Sequence, residues 1–535
     1  VRFIGILGLI VLMGLGLLFS TNRRKIPIRV IIWGVALQFL LVVIILGSRD
    51  LSWAGMSVFL FLLLVYIYQH RLIGTRSGGK WIVPAAGIVV AGVAAVAIGF
   101  GLARIGILPY ILLAVLIALV VGMFLQRRAI NRAASAALLA GAFAWIISSG
   151  ASGQDLFQVL SGQVDKFLKL TDLGTEFLFG NLVKQEYFYP NATTWPGFGY
   201  QFAFAVLPTI IFFSAFMSIL YHMGIMQFLV ELMAKFMKWT LGTSGTETLS
   251  CSANIFVGQT EAPLLIRPFL DDMTKSELHA VMVGGFATIA GGVLAGYIRM
   301  GIDPGYLIAA SVMSAPAALV MAKIIMPEVQ VSKTAGEVRI SREKQASNLL
   351  DAASRGVTDG LKLAANVGAM LIAFIALIGL IDIALAFGDK MIDGRLLGHA
   401  LNAAKNEYPG IFPGSLKTLF GTILGPLAFV MGVPWKDAAN VGNLMGIKVS
   451  ANEFVAYGQL SMELAAHTLS TKAQVIATYA LCGFANFASI GIQIGGIGAL
   501  APGRRSDLAN VALRAMAGGA LASWMTASIA GMFVS

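Results

Sequence analysis

The sequence predicts an all-α polytopic membrane protein organised as an inverted-topology repeat, with two re-entrant hairpins and two broken helices. Three observations predict it. Of the 535 residues, 58% are hydrophobic and only 12% are charged, about half the charge of an ordinary soluble domain. The apolar residues collect into runs of roughly 20, the length that spans a hydrocarbon core about 30 Å thick. A six-residue block from the middle of the chain returns 198 residues later.

That composition excludes a disordered protein, a typical cytosolic enzyme and a nucleic-acid-binding domain, because too little polar surface remains to cover a core. The net charge of +12 does not form one basic face or tail. It is scattered in short clusters between apolar runs, as in polytopic membrane proteins. Cys251 and Cys482 cannot make a disulfide framework or a metal site by themselves, and both sit in apolar stretches that suit plain packing.

Spans are expected at 3–20, 28–47, 51–69, 81–103, 106–126 and 130–149. The first run has no cleavage site and leads directly into further spans, so it is not a removable signal peptide. The chain begins at Val1, and a leading Met or short tail is expected to have been removed. Arg23, Arg24, Lys25 and Arg29 follow the first span; Arg71, Arg76 and Lys80 follow the third; Arg127, Arg128 and Arg132 follow the fifth. The intervening loops carry only Arg49 and Arg104. The odd loops are therefore expected in the cytoplasm, with the N-terminus outside.

Residues 155–181 are amphipathic, and the stretch after them is rich in aromatics, Pro and Gly (Tyr187-Phe188-Tyr189-Pro190, Trp195-Pro196-Gly197). An interfacial helix and an external loop are expected, with rings at headgroup level. Asn191-Ala192-Thr193 fits a glycosylation sequon, a tripeptide too common to carry weight. A span follows at 202–223. The segment 327–347, holding Glu328, Lys333, Glu337, Arg339, Arg342, Glu343 and Lys344, is the most polar loop. Regular spans are expected again at 365–386 and 508–534.

The repeat explains the irregular regions. Ser252-Ala253-Asn254-Ile255-Phe256-Val257 returns as Ser450-Ala451-Asn452-Glu453-Phe454-Val455, and Gly285-Phe286-Ala287 returns as Gly483-Phe484-Ala485 at the same offset. Each unit should hold a short apolar segment interrupted at Ser-Ala-Asn, then a helix interrupted after Gly-Phe-Ala. One span, 365–386, separates the units and would turn the second over in the membrane. Secondary transporters place substrate at the midplane between such repeats, and unwound backbone at that depth must be buried in protein or line a watery cavity.

The polar groups at the breaks are the candidate site. A carboxylate at membrane depth is costly, and Glu261 and Glu453 stand at matching breaks. Either could cap a half-helix; their pairing favours contact with a substrate or coupling ion. Gln259, Thr260, Asn486 and Ser489 could satisfy freed backbone groups. Together they also supply neutral donors and acceptors beside two acids, a set suited to a polyhydroxylated, uncharged ligand. No Arg or Lys cluster lies among them, which disfavours a phosphorylated or carboxylated substrate. Phe484 either stacks on a ring or belongs to the core. Asn254, Thr288 and the carbonyls of Val257 and Ile289 would make an all-oxygen, low-charge site of the kind that holds sodium. The five histidines, His70, His222, His279, His399 and His467, share no motif, which fits surface or interfacial roles. Gly495-Gly496-Ile497-Gly498 lies inside a span with no preceding strand, so close helix packing is expected there rather than a phosphate loop.

The chain resembles the concentrative nucleoside transporter family. The resemblance rests on Gly258-Gln259-Thr260-Glu261-Ala262-Pro263-Leu264-Leu265, Asn452-Glu453-Phe454-Val455-Ala456-Tyr457, Cys482-Gly483-Phe484-Ala485-Asn486 and Gly368-Ala369-Met370-Leu371-Ile372-Ala373-Phe374. It covers nearly all of 156–535, and 1–47 look like the first two core helices. It implies a homotrimer whose transport domains move elevator-fashion, a multi-pass protein of a plasma (bacterial inner) membrane that imports nucleosides by symport with sodium or protons and needs no cofactor. It further implies that Gln259 and Thr260 contact the nucleobase with Phe484 and Val293 packed beside it. Glu261, Glu453, Asn486 and Ser489 would hold the ribose hydroxyls, and Asn254, Val257, Thr288 and Ile289 the sodium. Thr288 stands where a relative can carry Ser, and it keeps the hydroxyl.

The expected division is 1–47, two core spans; 48–149, an insertion of about four spans that departs from the family pattern; 150–201, interfacial helix and external loop; 202–326, repeat unit 1; 327–390, cytoplasmic loop, interfacial helix and linking span; and 391–535, repeat unit 2. An intramembrane enzyme using Glu261 and Glu453 as an acid/base pair on a lipid-linked sugar is the rival from another class. The repeat disfavours it, since chemistry needs no such symmetry. A passive channel is the third reading.

Overall fold

The computed structural model describes residues 4–73, 141, 143, 146, 149–183, 201–334, 346–402 and 406–534, with 67–73 as backbone. The spans expected at 81–103 and 106–126, most of 130–149, and the sequon at Asn191 lie outside the described residues. No strand is present among the described residues; the one bridge is an isolated pair, Asn402 with Glu407.

The helices, in chain order, are α1 Ile4–Leu18, α2 Ile28–Leu46, α3 Arg49–Ile73, α4 Gly153–Leu168, α5 Thr171–Phe179, α6 Leu207–His222, α7 Ile225–Leu241, α8 Gly245–Ala253, α9 Lys275–Ala287, α10 Gly291–Arg299, α11 Pro304–Ile325, α12 Leu349–Asp389, α13 Leu416–Val430, α14 Trp435–Ser450, α15 Glu453–Ala465, α16 Thr471–Leu481, α17 Phe487–Leu500 and α18 Arg505–Gly531. A 3-10 segment, Ala262–Asp272, connects α8 to α9. Six stretches among the described residues are long and apolar enough to cross a membrane, as a multi-pass protein requires.

Two compact units divide the chain, 39–160 and the remainder. In the first, Met56, Leu60, Leu64 and Phe143 form a core with Trp53, Val65, Ile146 and Leu156 against it. There Ser52 donates to the Ile44 carbonyl at 2.6 Å and accepts from Gly153 N–H at 2.9 Å. The second unit carries the repeat. At 15 residues, α1 is shorter than the span expected at 3–20. Its glycine face lies against α18, where a Cβ at Gly5 would come 2.6 Å from the Ser528 carbonyl oxygen.

The repeat is visible element by element. Helices α8, α9, α10 and α11 of the first repeat correspond in sequence offset to α14, α16, α17 and α18 of the second repeat. Ser244 and Thr274 cap α8 and α9 with capping boxes, and Ser470 and Asn486 cap α16 and α17; each side-chain oxygen satisfies an N–H that the first turn leaves without a partner. The first broken helix behaves as the sequence predicts: α9 ends at Ala287, with Thr288 and Ala290 extended. The second differs. Here α16 ends at Leu481, four residues before the end of Gly483-Phe484-Ala485. The reason is Gly483, whose φ is +149° and whose added Cβ would sit 2.8 Å from the Phe286 carbonyl oxygen and 2.9 Å from that of Ala287. Only glycine permits that approach, and it lets the two breaks touch: Phe484 N–H donates to the Thr288 carbonyl at 3.2 Å.

The linking helix is also longer than expected. Instead of an interfacial helix followed by a span at 365–386, α12 runs unbroken for 41 residues, roughly 60 Å at 1.5 Å per residue. Its polar start is stabilised by Asn348, whose side chain accepts from Asp351 N–H at 2.9 Å, and it packs along α6 through Gly356 and Gly360. A Cβ at these positions would lie 2.6 Å from Ala215 Cα and 2.8 Å from Ile211 Cα. The spacing of four is the small-residue pattern that brings membrane helices close.

Candidate functional site

The site forms where the ends of short helices converge. Asn452 caps α15 by accepting from Val455 N–H at 2.9 Å, which places Glu453 in the first turn, where the helix dipole favours an acid. Glu453 is 5% exposed, and its Oε2 accepts from Asn486 Nδ2 at 2.9 Å. Asn486 in turn caps α17 by accepting from Ser489 N–H at 2.8 Å. At Asn486 a helix cap and a candidate site residue therefore coincide. Tyr297 of α10 meets Phe454 edge-on and Tyr457 at a tilt, at ring separations of 4.8 and 4.2 Å. These contacts bind the second hairpin to the first broken helix. Val293, a turn earlier on α10, is buried, as is Phe484.

Across the repeat interface, Gln259 Nε2 donates to Ser489 Oγ at 3.2 Å, and Gln259 Oε1 accepts from Gln493 Nε2 at 3.0 Å. Gln493 also donates to the Met282 carbonyl at 3.2 Å, while its own Oε1 has no partner among the described residues. Thr260 turns its methyl toward α17, where a Cβ at Gly496 would lie 2.7 Å from Thr260 Cγ2. Gly496 thus makes room for a turn and not for a neighbouring helix, and Gly495 faces open space, which differs from the helix packing expected of that glycine run. Glu261 is different. Its carboxylate folds back onto the Gly258 N–H, the residue is exposed, and no hydrogen bond joins it to Glu453 or Asn486 among the described residues.

The four residues expected around sodium lie on the two segments that meet beside this network. Asn254 ends α8, is 1% exposed, and both of its amide atoms lack partners among the described residues. A buried unsatisfied polar group costs about 1–3 kcal/mol; an oxygen-seeking cation suits the Asn254 Oδ1, while its Nδ2 calls for an acceptor. Thr288 donates its hydroxyl proton to the Gly284 carbonyl at 2.9 Å, leaving its oxygen lone pairs free. The carbonyls of Val257 and Ile289 accept no backbone hydrogen bond among the described residues. The neighbouring backbone is fixed by Gly291 N–H to the Phe256 carbonyl at 3.1 Å and by Ser311 Oγ to the Ile255 carbonyl at 2.8 Å.

Gln493 and Tyr297 were not anticipated from the sequence. A signal existed for the first: Asn486, Ser489 and Gln493 fall at i, i+3 and i+7, one polar stripe on an apolar helix. Tyr297 carries no such signal, since an aromatic in an apolar segment is ordinary core.

Three family models match the chain: the Na+ dependent nucleoside transporter N-terminus over residues 7–66, nucleoside recognition (Gate) over 203–303, and the Na+ dependent nucleoside transporter C-terminus over 306–531. The sodium/nucleoside cotransporter 1 of Rattus norvegicus is 45% identical over 390 residues, covering 70% of this chain and 55% of that protein. The chain thus spans about half the length of the mammalian relatives it matches. The uncharacterized transporter YutK of Bacillus subtilis (strain 168) is 40% identical over 394 residues, with 74% of this chain and 90% of that protein covered. A solved structure of CNTnw in an inward-facing substrate-bound state is 32% identical, with a TM-score of 0.71 and coverage of 99% of this chain and 97% of that one. A doubly substituted CNTnw in an outward-facing state matches at 32% identity and a TM-score of 0.72, covering 100% of this chain and 98% of that one.

Proposed function

The chain belongs to the Na+-dependent, concentrative nucleoside transporter family, a family of transporters and not of enzymes, and from that premise we propose that it imports nucleosides by symport with sodium. The observation that carries the reading is the Glu453–Asn486 pair at 2.9 Å, a carboxylate and an amide held together at the contact of two broken segments. The carboxylate accepts from ribose hydroxyls and the amide answers them, while Ser489 stands one helical turn on. Gln259 and Thr260 read the base edge, with Phe484 and Val293 packing on its faces. In the described arrangement both ends of the Gln259 amide are held by Ser489 and Gln493, so base binding exchanges those bonds for bonds to the ligand. Glu261, turned onto Gly258, reaches the ribose by releasing that N–H.

Sodium is the co-substrate in this reading. Asn254, Thr288 and the carbonyls of Val257 and Ile289 hold it, supported by the unpartnered amide of Asn254. An uncharged oxygen set suits a monovalent cation. The names of relatives favour sodium over protons. The remaining parts of the proposal are a homotrimer, an elevator movement of the repeat against a scaffold, re-entrant hairpins at α8 with the 3-10 segment and at α14 with α15, and a bacterial plasma membrane with the N-terminus outside.

Binding of labelled uridine to the purified protein tests this. Displacement by nucleosides but not by free bases or nucleotides, and binding that strengthens with sodium, is the expected result. No saturable nucleoside binding at any sodium concentration would overturn it.

A further inference from the structure

Lys448 lies in the last turn of α14 and is fully buried. Its Nζ donates to the Ala480 carbonyl at 2.8 Å and to Ser523 Oγ at 2.8 Å. Both acceptors are neutral, and Lys448 forms no ion pair among the described residues. A buried ammonium without a bonded carboxylate is costly and persists only where something compensates. The Ala480 carbonyl does so here: it is in the last turn of α16, where carbonyls left without helical partners attract a cation.

The first repeat has a buried lysine as well, used differently. Lys323 of α11 pairs with Glu247 of α8 at 2.7 Å and donates to Ser276 Oγ of α9 at 2.9 Å. Glu247 and Ser276 are in the first turns of their helices, so that lysine ties hairpin and broken helix at the base, far from the tip. Lys448 ties the same kinds of element at the opposite end. It joins the last turn of the hairpin helix to the last turn of the half-helix, and α18 holds the bond through Ser523. From Lys448 the chain runs five residues to Glu453; from Ala480 it runs six to Asn486.

We propose that Lys448 is a positioning residue for ribose recognition: it clamps the stems that carry Glu453 and Asn486, so that this pair meets the sugar hydroxyls in one fixed geometry. The inference rests on the nucleoside reading of the site. The contrast with Lys323 makes it specific, since both lysines stabilise the interior and only one stands at the stems of the pair.

The test compares initial uptake of uridine and 3′-deoxyuridine at saturating sodium in the parent, Lys448→Met, Ser523→Ala and Lys323→Met. Lys448→Met should raise the uridine KM about 10-fold with the maximal rate within about threefold, and bring the KM values of the two nucleosides together, because a loosened polar pair stops rewarding the hydroxyl. Ser523→Ala, which removes one small acceptor, should shift both in the same direction by about two- to threefold, and decides the matter if Lys448→Met fails to fold. Lys323→Met should lower the amount of folded protein and leave the discrimination intact. The proposal is overturned if Ser523→Ala and Lys448→Met keep the parent's discrimination, or if Lys323→Met erases it equally. A parent that takes up neither nucleoside contradicts the transport reading itself, an outcome distinct from either of these.

Discussion

A carboxylate five per cent exposed and bonded to an amide has to serve something that water cannot. Glu453 sits where the α15 dipole favours its charge, and Asn486 gives it a donor. Glu453→Gln keeps the shape and removes the charge. Hydrogen bonds to a charged group contribute about 1.5–3 kcal/mol each, so kcat/KM for uridine should fall by about 10- to 100-fold. The loss should be much smaller for a nucleoside lacking the 3′-hydroxyl; equal losses for both would place Glu453 away from the sugar. Asn254→Leu fills the unsatisfied amide position with an apolar side chain of similar size. It should raise the sodium concentration for half-maximal uptake by at least about tenfold while sparing the fold, since the amide makes no protein bond to lose; unchanged sodium dependence would remove Asn254 from the ion site. At this scale the sequence was informative because polar groups in apolar segments are expensive, which singled out Gln259, Glu453, Asn486 and Ser489. Lys448 escaped notice because it is a lone polar residue outside the duplicated blocks, and Gln493 because its place on the stripe with Asn486 and Ser489 says nothing of its partners Gln259 and Met282, more than 200 residues away in sequence.

At the scale of elements, two glycine contacts set the architecture. Gly483 allows the second break to lie on the first, with φ at +149°. Gly483→Ala should cost about 2–4 kcal/mol from backbone strain and the clash with Phe286 and Ala287. It should appear as a lowered melting temperature and loss of uptake together; a variant with parental stability would show that the breaks do not press on each other there. Gly360→Leu should separate α6 from α12, with a loss of similar size, read by thermal unfolding in detergent. The Arg299–Asp172 pair between α10 and α5, at 2.5 Å but partly exposed, is a weaker tie. Asp172→Asn should change stability by no more than about 1 kcal/mol. The duplicated motif located the first break to the residue, because Ala287 is where α9 stops. It placed the second four residues late, because Gly483 takes a φ of +149° while its counterpart Gly285 stays in the helix. The 41-residue length of α12 was hidden by its charged first third, which reads as a separate interfacial helix until Gly356 and Gly360 are seen against α6.

For the whole molecule, the basic, charge-poor composition identified a membrane protein, and the repeat singled out the breaks at which the proposed site lies. The described spans and the match of the family models over 7–66 and 203–531 agree with that reading, while the spans expected between 81 and 149 lie almost wholly outside the described residues. What composition could not supply is the contact between the two copies, which depends on backbone geometry at Gly483 and Thr288. The central claim is that the paired breaks couple a sodium site at Asn254 to a ribose site at Glu453. The measurement that tests it most directly is uptake of labelled uridine into proteoliposomes under an inward sodium gradient, against equal sodium on both sides and against a proton gradient alone. Accumulation above the external concentration with the sodium gradient only is the predicted result; accumulation indifferent to sodium, or mere equilibration under every gradient, would contradict it.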